Sequence, residues 1–150
     1  MTKRVLIVED EIFVALEIED IVTSAGLSVS AIAVDSAAAL EAASDSDIAL
    51  VDLNLRDGPT GPSIGQALSQ QYGIKVIYVT ANPSQIGGAA VAALGVITKP
   101  FRSGTIKAAL ALAANDVDQD DDGELDYRDI AGFTPFLPRR GSASGTGYTG

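Results

Sequence analysis

Short apolar runs separated by amphipathic segments fill the first 114 residues of the chain. Runs made almost entirely of Val, Ile, Leu and Ala are typical of strands that are buried on both faces of a sheet. Such strands are predicted at 4–8, 48–52, 74–79 and 95–98, and a weaker alternation predicts another at 27–34. Helical spacing of apolar residues predicts helices at 12–25, 36–43, 62–72 and 104–114, and one more that begins at Pro83.

Strands and helices alternate five times, so the sequence predicts an α/β fold with a doubly wound, five-stranded parallel sheet of the flavodoxin type. The expected strand order is 2-1-3-4-5. Phe13, Phe101 and the Ile, Val and Leu positions are expected in the core. The helix that begins at Pro83 is expected to be the weakest, because Gly87 and Gly88 each cost about 1 kcal/mol relative to alanine.

Acidic residues stand directly after two of the predicted strands. Glu9 and Asp10 follow the first strand, and Asp52 closes the third. In a sheet of this order the chain changes direction between strands 1 and 3, and ligands bind in the crevice at that point. Carboxylates crowded there repel one another, and Mg²⁺ resolves the repulsion because it prefers a few carboxylates together with waters and phosphate oxygens. The expected ligands are Asp10, Asp52 and the backbone carbonyl of Asn54, with Glu9 acting directly or through water. The alternative explanation of Asp52 is an aspartate that caps the following loop.

Thr80 and Lys99 end strands 4 and 5 beside the same crevice. A hydroxyl and an ammonium are suitable partners for phosphoryl oxygens. We therefore expect Asp52 to be a nucleophile that forms an acyl phosphate, with the metal and Lys99 stabilising the charge on the phosphoryl group. Taken alone, Lys99 would be an ordinary surface lysine.

The composition narrows the classes of function. The chain has no Cys and no His, which excludes disulfides, thiolate metal sites and histidine-based catalysis. A formal net charge of -10 disfavours direct binding to nucleic acid. No apolar run approaches the roughly 20 residues that span a bilayer, and the N-terminus lacks the pattern of a signal peptide. We therefore expect a cytoplasmic protein without membrane insertion.

With this set of residues the sequence resembles the receiver domain of two-component response regulators. The resemblance covers about residues 3–114 and is carried by Glu9-Asp10, Asp52 with Asn54, Thr80-Ala81 and Lys99-Pro100-Phe101. It implies that Asp52 accepts a phosphoryl group from a histidine kinase or a histidine phosphotransfer protein. It also implies that Glu9 and Asp10 help to bind Mg²⁺, and that Thr80 and Lys99 respond to the phosphoryl group.

One position departs from the family pattern. Receivers usually have Tyr or Phe three residues before the lysine, where this chain has Val96. Our hypothesis is that the glycine-broken fourth helix carries the switch in its place. The resemblance further implies a cis bond between Lys99 and Pro100.

The composition changes after the receiver-like domain, which is expected at 1–114. Residues 115–150 form an acidic tail that becomes rich in Gly and Ser. Within it, residues 118–129 fit the spacing of an EF-hand calcium loop, with Gly123 at the sharp turn. The tentative Ca²⁺ ligands are the side chains of Asp118, Asp120, Asp122, Asp126 and Asp129 and the backbone carbonyl of Glu124. The alternative is an acidic solubilising tail, since Asp129 replaces the usual glutamate.

The expected function is a single-domain response regulator in a phosphorelay. It would be a phosphoprotein rather than an enzyme, with slow self-dephosphorylation, and its downstream protein partner is unknown. One alternative is a Mg²⁺-dependent phosphatase of the aspartyl-phosphate type. Such enzymes usually carry a second Asp two residues after the nucleophile, where this chain has Asn54. Another alternative is a docking module that works without phosphorylation, and the complete set of site residues argues against it.

Overall fold

A computed structural model of the chain describes residues 2–115 and 130–136. The strands in this part of the chain are β1 (Arg4–Val8), β2 (Ser28–Ala33), β3 (Ile48–Val51), β4 (Lys75–Thr80), β5 (Ala93–Thr98) and β6 (Phe133–Pro135). The α-helices are α1 (Ile12–Ser24), α2 (Ser36–Ala42), α3 (Gly61–Tyr72) and α4 (Ser103–Asn115). No helix among the described residues is long and apolar enough to cross a membrane.

The strands form one sheet in the order β2-β1-β3-β4-β5-β6. The first five are parallel, which confirms the predicted α/β fold and the order 2-1-3-4-5. Val8 of β1 is paired with Val51 of β3, so these two strands end side by side. The crevice therefore opens where the sequence predicted it.

The core has two layers, one on each face of the sheet. Val5 and Ile7 of β1 face the layer that contains α1 and α4. Leu6 and Val8 face the opposite layer, which contains α2 and α3. Because successive side chains of a strand point to opposite faces, continuous apolar runs are required when both faces are covered.

The expected burial of Phe13 is wrong, since this side chain is 83% exposed. Helix α1 buries Ala15, Ile18 and Val22, which repeat every three or four residues along one face. Phe13 lies two residues before Ala15 and therefore on the opposite side of the helix. Phe101, by contrast, is partly buried and packs against the core.

The predicted fourth helix is not an α-helix. Two 3₁₀ segments, Pro83–Gln85 and Gly87–Ala92, connect β4 to β5 instead. Gly87 has a φ of 54°, which is in the left-handed region and cannot continue a right-handed helix. Of the two glycines that were expected to weaken this helix, Gly87 thus interrupts it between the two 3₁₀ segments.

The sixth strand was not predicted. β6 runs antiparallel to β5, with Gly95, Val96 and Ile97 opposite Pro135, Thr134 and Phe133. These β6 residues belong to the stretch that the sequence assigned to the tail. The candidate calcium loop at 118–129 lies outside the described residues.

Candidate functional site

The three acidic residues are positioned by the ends of β1 and β3. The backbone N–H of Asp52 donates to the carbonyl of Val8 at 2.9 Å, and the N–H of Glu9 donates to the carbonyl of Ala33 at 2.9 Å. These bonds extend the parallel ladders by one residue past the strand ends. They hold Glu9 and Asp52 at the mouth of the crevice, with Asp10 next in the chain.

Lys99 joins two of the acids. Its Nζ lies 2.9 Å from Glu9 Oε1 and 3.2 Å from Asp52 Oδ2. The backbone N–H of Lys99 donates to the carbonyl of Thr80 at 2.9 Å. The peptide bond between Lys99 and Pro100 is cis, as the resemblance to receiver domains implied. Three strands thus meet in this ion-pair cluster, since Glu9, Asp52 and Lys99 follow β1, β3 and β5, and the end of β4 is joined to it by the backbone bond from Lys99 to Thr80.

The remaining oxygen of each paired carboxylate also accepts a hydrogen bond. Asp52 Oδ1 accepts from the N–H of Leu53 at 2.7 Å, and Glu9 Oε2 accepts from the N–H of Glu11 at 3.1 Å. Both residues are buried, with 8% of Asp52 and 2% of Glu9 exposed. Their orientation is therefore fixed by backbone groups and does not depend on Lys99 alone.

The electrostatics of the site are set by burial and by the contacts of Lys99 with the two carboxylates. Burial raises the pKa of the Glu9 carboxyl above its ordinary value, although the hydrogen bond and charge of Lys99 oppose the rise. For Lys99, burial alone would lower the pKa, but Glu9 and Asp52 outweigh it and raise the pKa. The contact with Lys99 therefore does not fully offset the effect of burial on Glu9.

The acidic residues fit a divalent cation. Glu9, Asp10 and Asp52 each offer a carboxylate oxygen, and these oxygens lie within 4.8 Å of one another. Oxygen ligands at this spacing suit a hard cation such as Mg²⁺, which also keeps several waters. Asn54 is exposed, and its side-chain amide donates to Gln85 Oε1 at 2.9 Å. Its amide nitrogen is thus bonded to the β4–β5 connection, and its backbone carbonyl stays the predicted ligand.

Thr80 ends β4 and is buried, with 1% exposed. Its Oγ1 accepts a hydrogen bond from the N–H of Asn82 at 3.0 Å. This bond turns the chain away from the sheet and into the first 3₁₀ segment. Thr80 is therefore joined to the cluster through Lys99 and to the irregular β4–β5 connection through Asn82.

Sequence reasoning missed two residues that shape the site. Gly61 begins α3, and a Cβ there would overlap the carbonyl oxygen of Asp52 and the Cα of Leu53. Tyr78 is fully buried opposite Val96, and its hydroxyl lies 3.4 Å from the carbonyl oxygens of Pro62 and Ala89. Burial raises the pKa of Tyr78 to about 12. The Pro and Gly residues after Asp52 indicated a turn but gave no sign of this close packing.

Comparisons with known proteins agree with this geometry. The family model of the response regulator receiver domain matches residues 5–111. The phyllosphere-induced regulator PhyR of Methylorubrum extorquens is 30% identical over 75% of this chain. The receiver domain of Erythrobacter litoralis PhyR superposes with a TM-score of 0.70 at 28% identity, covering 83% of this chain and 97% of that one. The anti-anti-sigma factor PhyR of Bartonella quintana superposes with a TM-score of 0.65 at 28% identity, covering 76% of this chain and 48% of that one. The chain spans 44% of the length of the M. extorquens protein.

Proposed function

The chain belongs to the response regulator receiver domain family, and from this premise we propose that it accepts a phosphoryl group on Asp52 and signals through protein–protein contacts. The observation that carries the proposal is the contact of one ammonium, Lys99, with both Asp52 and Glu9. A carboxylate held at a strand end beside a lysine and two further acids is suited to covalent phosphoryl transfer.

The transfer itself is a displacement at phosphorus. A carboxylate oxygen of Asp52 forms a P–O bond while the P–N bond of a phosphohistidine donor breaks, and the imidazole leaves with the bonding electron pair. Lys99 stabilises the negative charge that the phosphoryl oxygens bring into the crevice. Burial of Asp52 limits the access of water, so self-dephosphorylation is expected to be slow.

Mg²⁺ is the cofactor that we assign to the site. Asp10, Asp52 and the backbone carbonyl of Asn54 would hold it, with Glu9 acting directly or through water. The ion supplies positive charge next to the phosphoryl oxygens. The clustering of the three carboxylates supports this assignment, because their oxygens lie close enough together to share one cation.

The proposed partners are a histidine kinase or a histidine phosphotransfer protein upstream and a regulatory protein downstream, all in the cytoplasm. The B. quintana relative is described as an anti-anti-sigma factor, so a protein that restrains a sigma factor is a reasonable downstream candidate. A phosphatase function is disfavoured because Asn54 stands two residues after Asp52 and its amide is bound to Gln85.

The proposal is tested by phosphorylation with a small phosphodonor. Acetyl phosphate and Mg²⁺ should add one phosphoryl group to the wild type, measured by intact mass spectrometry, and none to Asp52→Asn. Asp57→Asn is the matched control, since Asp57 lies in the same loop but bonds to Thr60 and Ser36 rather than to the site. Equal labelling of Asp52→Asn and the wild type would show that the acceptor lies elsewhere.

A further inference from the structure

The outer edge of β5 is covered by a segment of the same chain, residues 130–136. Two hydrogen bonds bracket the short ladder of β5 and β6. The N–H of Thr98 donates to the carbonyl of Gly132 at 3.2 Å, and the N–H of Phe136 donates to the carbonyl of Leu94 at 2.9 Å. Between them, residues 95–97 of β5 face residues 133–135 of β6. The segment therefore occupies backbone groups along most of the length of β5.

The surface beneath the segment is shaped to receive it. Phe133 is 7% exposed and belongs to the core layer that contains α1 and α4. Gly95 makes room for it, because a Cβ at this position would lie 2.6 Å from Phe133 Cζ and 2.5 Å from the carbonyl oxygen of Thr134. The hydroxyl of Thr105, in the first turn of α4, donates to the carbonyl of Ala131 at 2.7 Å. The burial of Phe133, the space left by Gly95 and the hydrogen bond from Thr105 thus hold the same segment in place.

The other side of β6 is closed to further strands. The bonds of Gly132 and Phe136 show that the even-numbered residues turn their backbone groups toward β5, because these groups alternate along an antiparallel strand. The N–H of Phe133 consequently points away from β5, and it is already bonded to the carbonyl of Ile130 at 3.1 Å. Pro135 has no N–H to donate. Proline at such a position is typical of a strand that ends a sheet.

β5 connects this segment directly to the proposed phosphorylation site. Thr98 is bonded to Gly132, and the next residue, Lys99, is bonded to the carbonyl of Thr80 and paired with Asp52. Lys99 Nζ lies 3.2 Å from Asp52 Oδ2, in space that a phosphoryl group on that carboxylate must share. Phosphorylation therefore acts on Lys99, the residue that directly follows the first bond that holds the segment.

We propose that residues 130–136 are an autoinhibitory strand that covers the edge of β5 and is released when Asp52 is phosphorylated. The link to phosphorylation rests on the proposed function, whereas the covering of the edge does not. Release exposes the unpaired backbone of β5 and the pocket of Phe133. Such a surface accepts an extended partner segment that carries an aromatic side chain. Because coupling between two sites is reciprocal, undocking the segment must also favour phosphorylation.

The test uses the full chain and two variants that undock the segment by different means. Gly95→Ala introduces the Cβ that overlaps Phe133 and Thr134, and Thr105→Val removes the hydroxyl bonded to Ala131 with little change in shape. Gly104→Ala is the matched control, because a Cβ at Gly104 meets no atom within 4 Å. Amide hydrogen exchange of residues 94–98 and 130–136 reports docking, and intact mass reports phosphorylation with acetyl phosphate and Mg²⁺.

The expected result is faster exchange of both stretches in each undocking variant and in the phosphorylated wild type. The ratio of phosphorylated to unphosphorylated protein should be about fivefold higher in the two variants than in the wild type. This factor is the lower end of typical coupling between two sites. Fast exchange of both stretches in the unphosphorylated wild type would overturn the covering of the edge, and slow exchange in both variants would overturn the roles of Gly95 and Thr105 in holding the segment. Fast exchange without any gain in phosphorylation would overturn the coupling. If the wild type is not labelled on Asp52, the proposed function fails, while exchange in the unphosphorylated protein still decides whether the segment is docked.

Discussion

Replacing Lys99 by methionine should destabilise the fold more at neutral pH than at acid pH. Methionine keeps the length and apolar stem of the lysine but leaves Glu9 and Asp52 without their ammonium. Removing one partner of a buried ion pair typically costs 3–5 kcal/mol. Because 17% of the Lys99 side chain is exposed and water reaches it, we expect about 3 kcal/mol, at the lower end of that range.

The pH dependence follows from the direction of two pKa shifts. The raised pKa of Lys99 means that its stabilising contribution is complete below its ordinary pKa of 10.5 and is lost as the pH rises through the folded value. The raised pKa of Glu9 means that the folded state holds this proton more tightly than the unfolded state. Stability therefore declines as the pH rises from 4.5 through the folded value. In Lys99→Met, Glu9 loses the partner that lowers its pKa, so this decline should be steeper than in the wild type.

The assay is urea unfolding in the presence of EDTA, followed by circular dichroism near pH 5 and near pH 7.5. At the higher pH the variant should lose about 3 kcal/mol, which shifts the midpoint by roughly 1 to 3 M urea. At the lower pH the loss should be smaller, because a larger fraction of Glu9 is protonated there than at the higher pH and the unpaired negative charge is reduced. The control is Lys107→Met, since Lys107 is exposed on α4. An equal loss at both pH values, or a larger loss at pH 5, would refute the electrostatic reasoning.

Four further predictions concern individual features of the chain. Asp10→Asn should weaken Mg²⁺ binding at least tenfold in a calorimetric titration, since it removes one of the clustered carboxylates; unchanged affinity would place the ion elsewhere. Gly61→Ala should lower the free energy of unfolding by about 1–3 kcal/mol and slow phosphorylation, because its Cβ overlaps the backbone of Asp52; wild-type values in both assays would contradict this. The absorbance change of Tyr78 on ionisation should be delayed to about pH 12 and should be missing from Tyr78→Phe. The loop at 118–129 should bind Ca²⁺ weakly, toward the weaker end of the ~10⁻⁷ to 10⁻³ M range of sensor and extracellular hands, and replacing its aspartates by asparagine should remove the heat of binding.

Periodicity and strand ends were sufficient to predict the parallel sheet and the position of its crevice. Buried parallel strands leave a continuous apolar signal, and the acids after β1 and β3 interrupt it sharply, so Glu9 and Asp52 could be located from the sequence. Lys99 could be located in the same way, because it directly follows the apolar run of β5. The fold could be predicted and these residues could be located because each step depended only on a strand and on the residue that follows it, while their roles in phosphorylation stay predictions.

Features that depend on contacts between distant segments could not be predicted in the same way. The pairing of β6 with β5 joins positions more than thirty residues apart, and Phe133 to Pro135 is too short to give a period. The exposure of Phe13 depends on how α1 is rotated against the sheet, which Ala15, Ile18 and Val22 decide together. The 3₁₀ segments depend on the φ of Gly87, whereas the sequence indicated only that an α-helix there would be weak.

The two 3₁₀ segments between β4 and β5 also make the local stability of the domain lower at this connection than in the sheet. A 3₁₀ segment has poorer hydrogen-bond geometry than an α-helix. The second segment buries only Ala89 and Ala92, while Val91 is 82% exposed. Little apolar surface is therefore exposed when this second segment opens, and it can unfold locally while the strands on either side stay paired. The domain thus contains a region of low local stability beside Thr80, and rearrangements there need not proceed through global unfolding.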